Sequence, residues 1–318
     1  MEPDFSVNIA GIQMKNPIMT ASGTCGYGRE LAKFFDLLRL GAFVTKGVTL
    51  EPREGNDQPR MCETRAGLIN FIGLQNPGID VVILHELPFL LSFDIPVIIN
   101  IAGRTIDDYV TTAQKLERIK KALAGIEVNI SCPNVKKGGM AFGQDSDSTF
   151  AVVSAIRKET SLPLIVKLTP NVTDIVTIAS SAVSAGANAL SLINTLKSRA
   201  MLRSGPHKGK WLVGGLSGPA IKPVALQKVW EVSQAKLGVP IIGMGGIQHL
   251  ADVIDFLQAG ADAVAVGTAT FVDPTCMVDL IDDLRRFMKA KGYNNIAELK
   301  EKAVDVNPND FARKEASV

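Results

Sequence analysis

The sequence predicts an α/β fold, a (β/α)8 TIM barrel with an N-terminal β-hairpin and insertions at its C-terminal face. Three observations lead there. Eight short apolar runs rich in β-branched residues recur along the 318 residues, at 17–21, 42–46, 97–101, 126–130, 164–167, 189–193, 241–243 and 263–266. Continuous apolar runs of this length mark parallel strands buried on both faces. Helical stretches separate many of them, which is the rhythm of strand–helix units. Hydrophobic residues make up 46% of the chain but aromatics only 6%, a composition that suits helix-on-sheet packing better than a β-sandwich. A doubly wound sheet is the alternative that the same alternation allows.

Taken in order, the chain opens with a hairpin within residues 1–16. Val7-Asn8-Ile9 and Ile12-Gln13-Met14 flank Ala10-Gly11, a two-residue turn. Helices are predicted over 107–123, 148–160, 173–185, 221–237 and 250–259. In the first, Val110, Ala113, Leu116 and Ile119 share a face and Thr105 stands as N-cap. Gly125, Gly186, Gly238 and Gly260 follow helical stretches as left-handed caps would. Residues 184–192 and 258–266 repeat one device: helix end, glycine cap, short loop, buried strand. The intervals 48–95 and 194–239 are too long for simple units, and barrels place such insertions on the face that carries chemistry. No linker or low-complexity stretch divides the chain, so 1–318 reads as a single domain, with 307–318 a fraying tail.

Composition narrows the function. A formal charge of +2 gives no electrostatic case for nucleic acid or a membrane surface. The N-terminus lacks a signal peptide, and no apolar stretch of about eighteen residues exists to span a bilayer. Cys25, Cys62, Cys132 and Cys276 form no C-x-x-C pair. That spacing argues against zinc or iron–sulfur ligation on this chain and for reduced thiols in a cytoplasm.

In a barrel the C-terminal ends of the strands build the site. The first delivers Ser22 between small neighbours that let a flat ligand approach. The second delivers Lys46-Gly47, the third Asn100, the fifth Lys167, and the sixth Asn194-Thr195. The fourth delivers Asn129, Cys132 and Asn134, two amides and a thiol within six residues. Amides both donate and accept, and a thiol acts as base or nucleophile once its pKa is tuned. A small buried Cys beside a Pro turn is the plain structural reading; the flanking amides at a strand end favour chemistry. The Gly-rich, Lys-bearing loop 136–144 next to it reads as a lid. The set repeats Lys and Asn without a His/Asp/Glu cluster, so no metal is expected. His85, His207 and His249 read as structural or surface residues. Gly245-Gly246 after strand seven and Gly267-Thr268 after strand eight match the common barrel phosphate site. A phosphate site below converging lysines and amides fits flavin mononucleotide, whose ring gains negative charge on reduction. No G-x-G-x-x-G opens a helix and no G-x-x-x-x-G-K-[ST] occurs.

Four blocks then resemble one family in its own order: Asn129-Ile-Ser-Cys-Pro-Asn134, Lys46-Gly-Val-Thr-Leu-Glu-Pro-Arg53, Asn70-Phe-Ile-Gly-Leu-Gln-Asn-Pro-Gly78 and Ser217-Gly-Pro-Ala-Ile-Lys-Pro223. They resemble dihydroorotate dehydrogenase over nearly the whole chain. The resemblance implies an FMN barrel that oxidises dihydroorotate to orotate in pyrimidine synthesis. It implies Cys132 as the base that removes the C5 proton while hydride leaves C6 for the flavin. It implies that Lys46, Asn70, Phe71, Ile72, Gly73, Leu74, Asn129, Asn134, Asn194 and Thr195 meet the substrate. Ser22, Lys46, Gly47, Asn100, Asn129, Lys167, Ile193, Gly218, Gly245, Gly246, Gly267 and Thr268 would hold FMN. For Ile193 and Gly218 the residues alone suggest only core and turn.

Cys in place of Ser as base, and a chain that begins with a hairpin, resemble the soluble class. Within it the motifs are similar to the NAD-dependent type, whose catalytic chain pairs with an electron-transfer subunit carrying FAD and a [2Fe–2S] cluster, as a heterotetramer of two and two. Three alternatives stay open: a fumarate-linked homodimer, another FMN barrel acting on a reduced pyrimidine, and a non-catalytic barrel.

Overall fold

The computed structural model describes residues 2–131, 142–202 and 208–301. The predicted hairpin forms from β1 (Val7–Ile9) and β2 (Ile12–Met14), paired Val7 to Met14. Ala10 and Gly11 both take positive φ (52° and 90°), the turn whose twist matches a two-residue hairpin.

Eight parallel strands follow: β3 (Ile18–Thr20), β4 (Phe43–Val44), β7 (Val97–Ile101), β8 (Gly125–Asn129), β9 (Leu164–Lys167), β10 (Ala189–Leu192), β13 (Ile241–Met244) and β14 (Ala263–Val266). They pair in the order β3-β14-β13-β10-β9-β8-β7-β4. A Met19–Ala42 bridge and a Gly41 N–H to Ile18 carbonyl bond of 2.8 Å join the two ends, which closes the sheet into a barrel. Each strand coincides with one predicted apolar run to within a residue or two. Helices α1 (Ile106–Glu117), α2 (Ser146–Glu159), α3 (Ile175–Ser184), α4 (Lys222–Gln234), α5 (Leu250–Gln258) and α6 (Cys276–Lys291) surround it. Thr105 caps α1 as expected: its side chain accepts from Asp108 N, and Asp108 answers with a bond from Thr105 N. Asp145 and Asp174 cap α2 and α3 in the same sense.

The structure corrects the sequence reading in two places and adds to it in two more. The helix expected over 107–123 stops at Glu117, and a separate 3-10 turn covers Lys120–Ala122. Gly186, Gly238 and Gly260 have the positive φ of left-handed caps, but Gly125 does not: it begins β8. A Cβ at Gly125 would stand 3.0 Å from Pro163 O and 3.2 Å from Ile12 Cδ1, so the glycine admits the hairpin rather than ending a helix. The connection from β3 to β4 holds only 3-10 turns at Leu31–Lys33 and Leu37–Arg39. Finally, the two long insertions form a single antiparallel sheet, β11 (Leu196–Met201), β12 (Trp211–Ser217), β6 (Gly67–Asn70) and β5 (Met61–Thr64), in that order. Glycines make this pairing fit, since a Cβ at Gly67 would lie 2.1 Å from Ser217 O and one at Gly214 2.2 Å from Asn70 O. The predicted tail, 307–318, lies outside the described residues.

Side-chain alternation gives the barrel two cores. Ile99, Val128, Val166 and Leu190 point outward to the helices. Ile98, Ile165, Ala189, Ile242 and Ala263 point inward, where they meet Ile9, Ile12 and Met14 of the hairpin. The hairpin therefore plugs the N-terminal end of the barrel with apolar side chains, each contributing about 1.5–3 kcal/mol of burial. Toward the other end the inward positions turn polar: Asn100, Glu127, Lys167 and Ser191 are all buried.

The closing seam is packed backbone against backbone. A Cβ at Gly41 would come within 2.1 Å of Asn16 O and 3.0 Å of Ile18 O, both backbone atoms. Gly41→Ala should destabilise the chain by roughly 2–3 kcal/mol, read as a lowered midpoint in urea unfolding; an unchanged midpoint would show that the seam yields freely.

Candidate active site

A cavity of about 660 Å³ opens over the C-terminal mouth of the barrel, a volume typical of small-molecule and cofactor sites. The strand ends line it with Ser22, Lys46, Gly47, Lys167, Ile193, Asn194, Thr195, Gly245, Gly246, Gly267 and Thr268. The insertions add Asn70, Phe71, Ile72, Gly73, Leu74 and Gly218. Asn100 and Asn129 stand just behind this wall. Cys132, Asn134 and most of the 136–144 segment lie outside the described residues.

Two amides meet at the end of β8. Asn194 Nδ2 donates to Asn129 Oδ1 at 3.2 Å and to Ser131 Oγ at 2.9 Å. Tyr109 Oη, from α1, donates to the Asn129 carbonyl at 2.7 Å and so ties the strand end to the helix layer. Thr195 sits against Gly215, where a Cβ would lie 2.0 Å from its Oγ1. That contact requires glycine in the insertion sheet and presses Thr195 toward the cavity.

Below the cavity the polar inward positions form a network around one carboxylate. Glu127 Oε2 accepts from Asn100 Nδ2 at 2.5 Å, and Oε1 accepts from Ser191 Oγ at 2.8 Å. Lys167 Nζ lies 3.8 Å from Oε2 and donates to Ser22 Oγ at 2.9 Å. Asn100 Oδ1 is buried and has no partner among the described residues. It lies 2.8 Å from where a Cβ would stand on Gly47, a cavity residue.

Lys46 is half-buried at the rim. Burial, and after it the neighbouring Arg60, holds its ammonium below the usual lysine range. Arg60 also lines the cavity and is fixed by Gln75 Oε1 at 2.6 Å. Two cations on one wall favour an anionic ligand. Cys25 and Cys276 are buried, and burial pushes both thiols up, Cys276 to about 12; neither suits a base at neutral pH. Among the described residues no group of three His, Cys, Asp or Glu could hold a metal ion, and no helix is long and apolar enough to cross a membrane.

The cavity fits a flavin on two counts. Asn100 offers a buried acceptor that no described residue satisfies, and an imide N–H of the flavin kind would supply its donor. Gly245 and Gly246 hold φ of 130° and 83°, and a Cβ at Gly246 would strike Gly218 O at 2.9 Å. Such glycines leave the open backbone that a phosphate site needs. Thr268 Oγ1 stands beside them, bonded to Ser217 Oγ at 2.7 Å.

Sequence reasoning misses two charged residues of this region. Glu127 interrupts the apolar run 126–130 at an inward position, which is a readable signal. Arg60 lies in an insertion with no regular pattern and gives none.

Comparison with known proteins agrees with this geometry. The family model described as Dihydroorotate dehydrogenase matches residues 4–288. The chain is 51% identical over 300 residues to a protein of Geotalea daltonii named dihydroorotate dehydrogenase B (NAD(+)), catalytic subunit, covering 94% of this chain and 97% of that one. Proteins of the same name from Desulforudis audaxviator and Bacillus pumilus are each 51% identical, over 94% and 92% of this chain and 97% and 94% of theirs.

Loop 71–75 is held at its base by Asn76, whose Nδ2 donates to Thr49 Oγ1 and Leu74 O and whose Oδ1 accepts from Thr49 N and Gly78 N. Asn76→Ala should cost about 1–3 kcal/mol and expose residues 70–76 to limited proteolysis. Cleavage at the wild-type rate would mean that the loop stands without this anchor.

Proposed function

The chain belongs to the dihydroorotate dehydrogenase family, and on that premise we propose that it oxidises (S)-dihydroorotate to orotate in pyrimidine nucleotide synthesis, as the catalytic subunit of an NAD+-linked enzyme. The observation that carries the reading is the cavity itself, which gathers Lys46, Lys167, the Asn70 and Asn194 amides and the glycines of strands seven and eight over one barrel mouth. Chain 1–318 is taken as one flavin-binding barrel domain.

The family's dehydrogenases depend on flavin, and we assign FMN. Bound FMN supplies the acceptor for the hydride from substrate C6, and electrons pass on to NAD+ through a partner subunit with FAD and a [2Fe–2S] cluster, in a heterotetramer of two and two. On this chain, Ser22, Gly47, Asn100, Lys167, Ile193, Gly218, Gly245, Gly246, Gly267 and Thr268 hold the cofactor. The open backbone at Gly245 and Gly246 receives its phosphate. Lys46, Asn129 and the strand-end amides bridge cofactor and substrate.

Cys132 takes the C5 proton onto its sulfur, and Asn129 and Asn134 flank it. Asn70, Phe71, Ile72, Gly73, Leu74, Asn194 and Thr195 read the pyrimidine ring, because amides donate to ring carbonyls and accept from ring N–H groups. Lys46 meets the substrate carboxylate. The insertion sheet supplies one cavity wall and limits the entry of water.

The first test is to add dihydroorotate anaerobically to the flavin-loaded chain. Bleaching of the flavin band is expected, and a flavin that stays oxidised would remove dihydroorotate as substrate. Cys132→Ala should slow that bleaching about 10²- to 10⁴-fold, the usual contribution of a positioned base, while orotate still binds. Undiminished bleaching at neutral pH would remove Cys132 from the role.

Lys46 gives a pH test with a definite sign. Only its protonated form attracts the carboxylate, and its pKa lies below the ordinary lysine value. Orotate affinity should therefore be full on the acid side and fall, as pH rises, before the usual lysine range of about 10.4 is reached. Lys46→Arg should abolish the fall, and Lys46→Met should weaken binding about 10- to 100-fold. Equilibrium titration across pH checks both.

A further inference from the structure

Glu127 is assigned no part in the reaction above, yet it is the hub of the barrel's polar interior. Its side chain is 2% exposed and that of Lys167 is 5% exposed, so neither charge is screened by water. Lys167 lines the cavity, and its Nζ lies 3.8 Å from Glu127 Oε2. Asn100, on the neighbouring strand β7, and Ser191, on β10 beyond β9, fix both carboxylate oxygens. The carboxylate is thus held in place by three strands and cannot swing away from the lysine.

We infer that Glu127 is a positioning residue that sets how much positive charge Lys167 presents to the bound flavin. The inference rests on the cofactor reading above. A lone buried ammonium at the cavity floor would stabilise the negative charge that reduction brings to the flavin and would raise its potential. The fixed carboxylate offsets that field. Lys167 then serves as a hydrogen-bond donor of small net charge, and the flavin remains a weak enough oxidant to release its electrons.

The test is a spectrophotometric redox titration of the FMN-loaded full-length chain against a dye of known potential. Glu127→Gln keeps the shape of the side chain and removes its charge. Its two-electron equilibrium should shift about tenfold toward reduced flavin, a rise of about 30 mV. Ser191→Ala removes one hydrogen bond to Glu127 but neither charge, and should shift the equilibrium less than about twofold, about 9 mV. Glu127→Asp keeps the carboxylate and should restore most of the wild-type value.

An E127Q potential equal to or below wild type would overturn the inference, as would an S191A shift as large as that of E127Q, which would mark a structural network only. Should E127Q not fold, E127D decides: it keeps the carboxylate charge, so its potential should stay within about twofold of wild type, and a tenfold change in either direction overturns the inference. A wild-type chain that takes up no FMN would overturn the cofactor reading itself, and is told apart from these outcomes by the absence of any flavin to titrate.

Discussion

The two-residue period of a barrel strand constrains everything above it. Each side chain faces either the helices or the closed interior, and the interior has no water to share. Near the hairpin that rule is met with Ile98, Ile165, Ala189 and Ala263. Nearer the mouth the same rows must carry groups that can reach a ligand, so each polar side chain there needs a buried partner. The Glu127 cluster answers that need. Asn100, Ser191 and Lys167 come from three strands, and one carboxylate serves them all. Apolar floor, polar middle layer and open cavity are successive rows of one sheet.

The wall above the barrel is assembled differently. Its four strands come from two insertions more than a hundred residues apart, joined where Gly215 pairs with Asn70 and Ser217 with Leu68. Asn70 and Gly218 enter the cavity from opposite insertions, so this pairing fixes their spacing. Asn70 Nδ2 even donates to Gly215 O at 3.2 Å, which orients an amide proposed to read the substrate. The sheet is therefore a second scaffold, perched on the first.

Much of this was legible in the residues. Strand runs, the hairpin and most glycine caps follow from local pattern, and the strand-end lysines and amides fall out once the barrel is assumed. Gly125 misled because a glycine that opens space for a neighbour carries the same letter as one that turns the chain. The insertion sheet could not be read, because its pairing depends on contacts far apart in sequence. Nor could Arg60, which reaches the cavity from an irregular loop. Glu127 was readable in principle: an acidic residue inside an apolar strand demands a partner, and Lys167 stands on the adjacent strand.

The seam between β3 and β4 also bears on how the chain reaches this state. β3 pairs with β14, which ends at Val266, and meets the β4 side through the Met19–Ala42 bridge, the Gly41 N–H to Ile18 O bond and the Thr20 hydroxyl bonded to the Val44 backbone. As the polypeptide emerges, its first barrel strand keeps an unpaired edge until nearly the last strand has been made. Closure of the barrel is thus a late, long-range event, of the kind that slows folding and leaves strand edges open to neighbours. The hairpin precedes every barrel strand in the chain, so the side chains that plug the N-terminal end are made before the rows they cover.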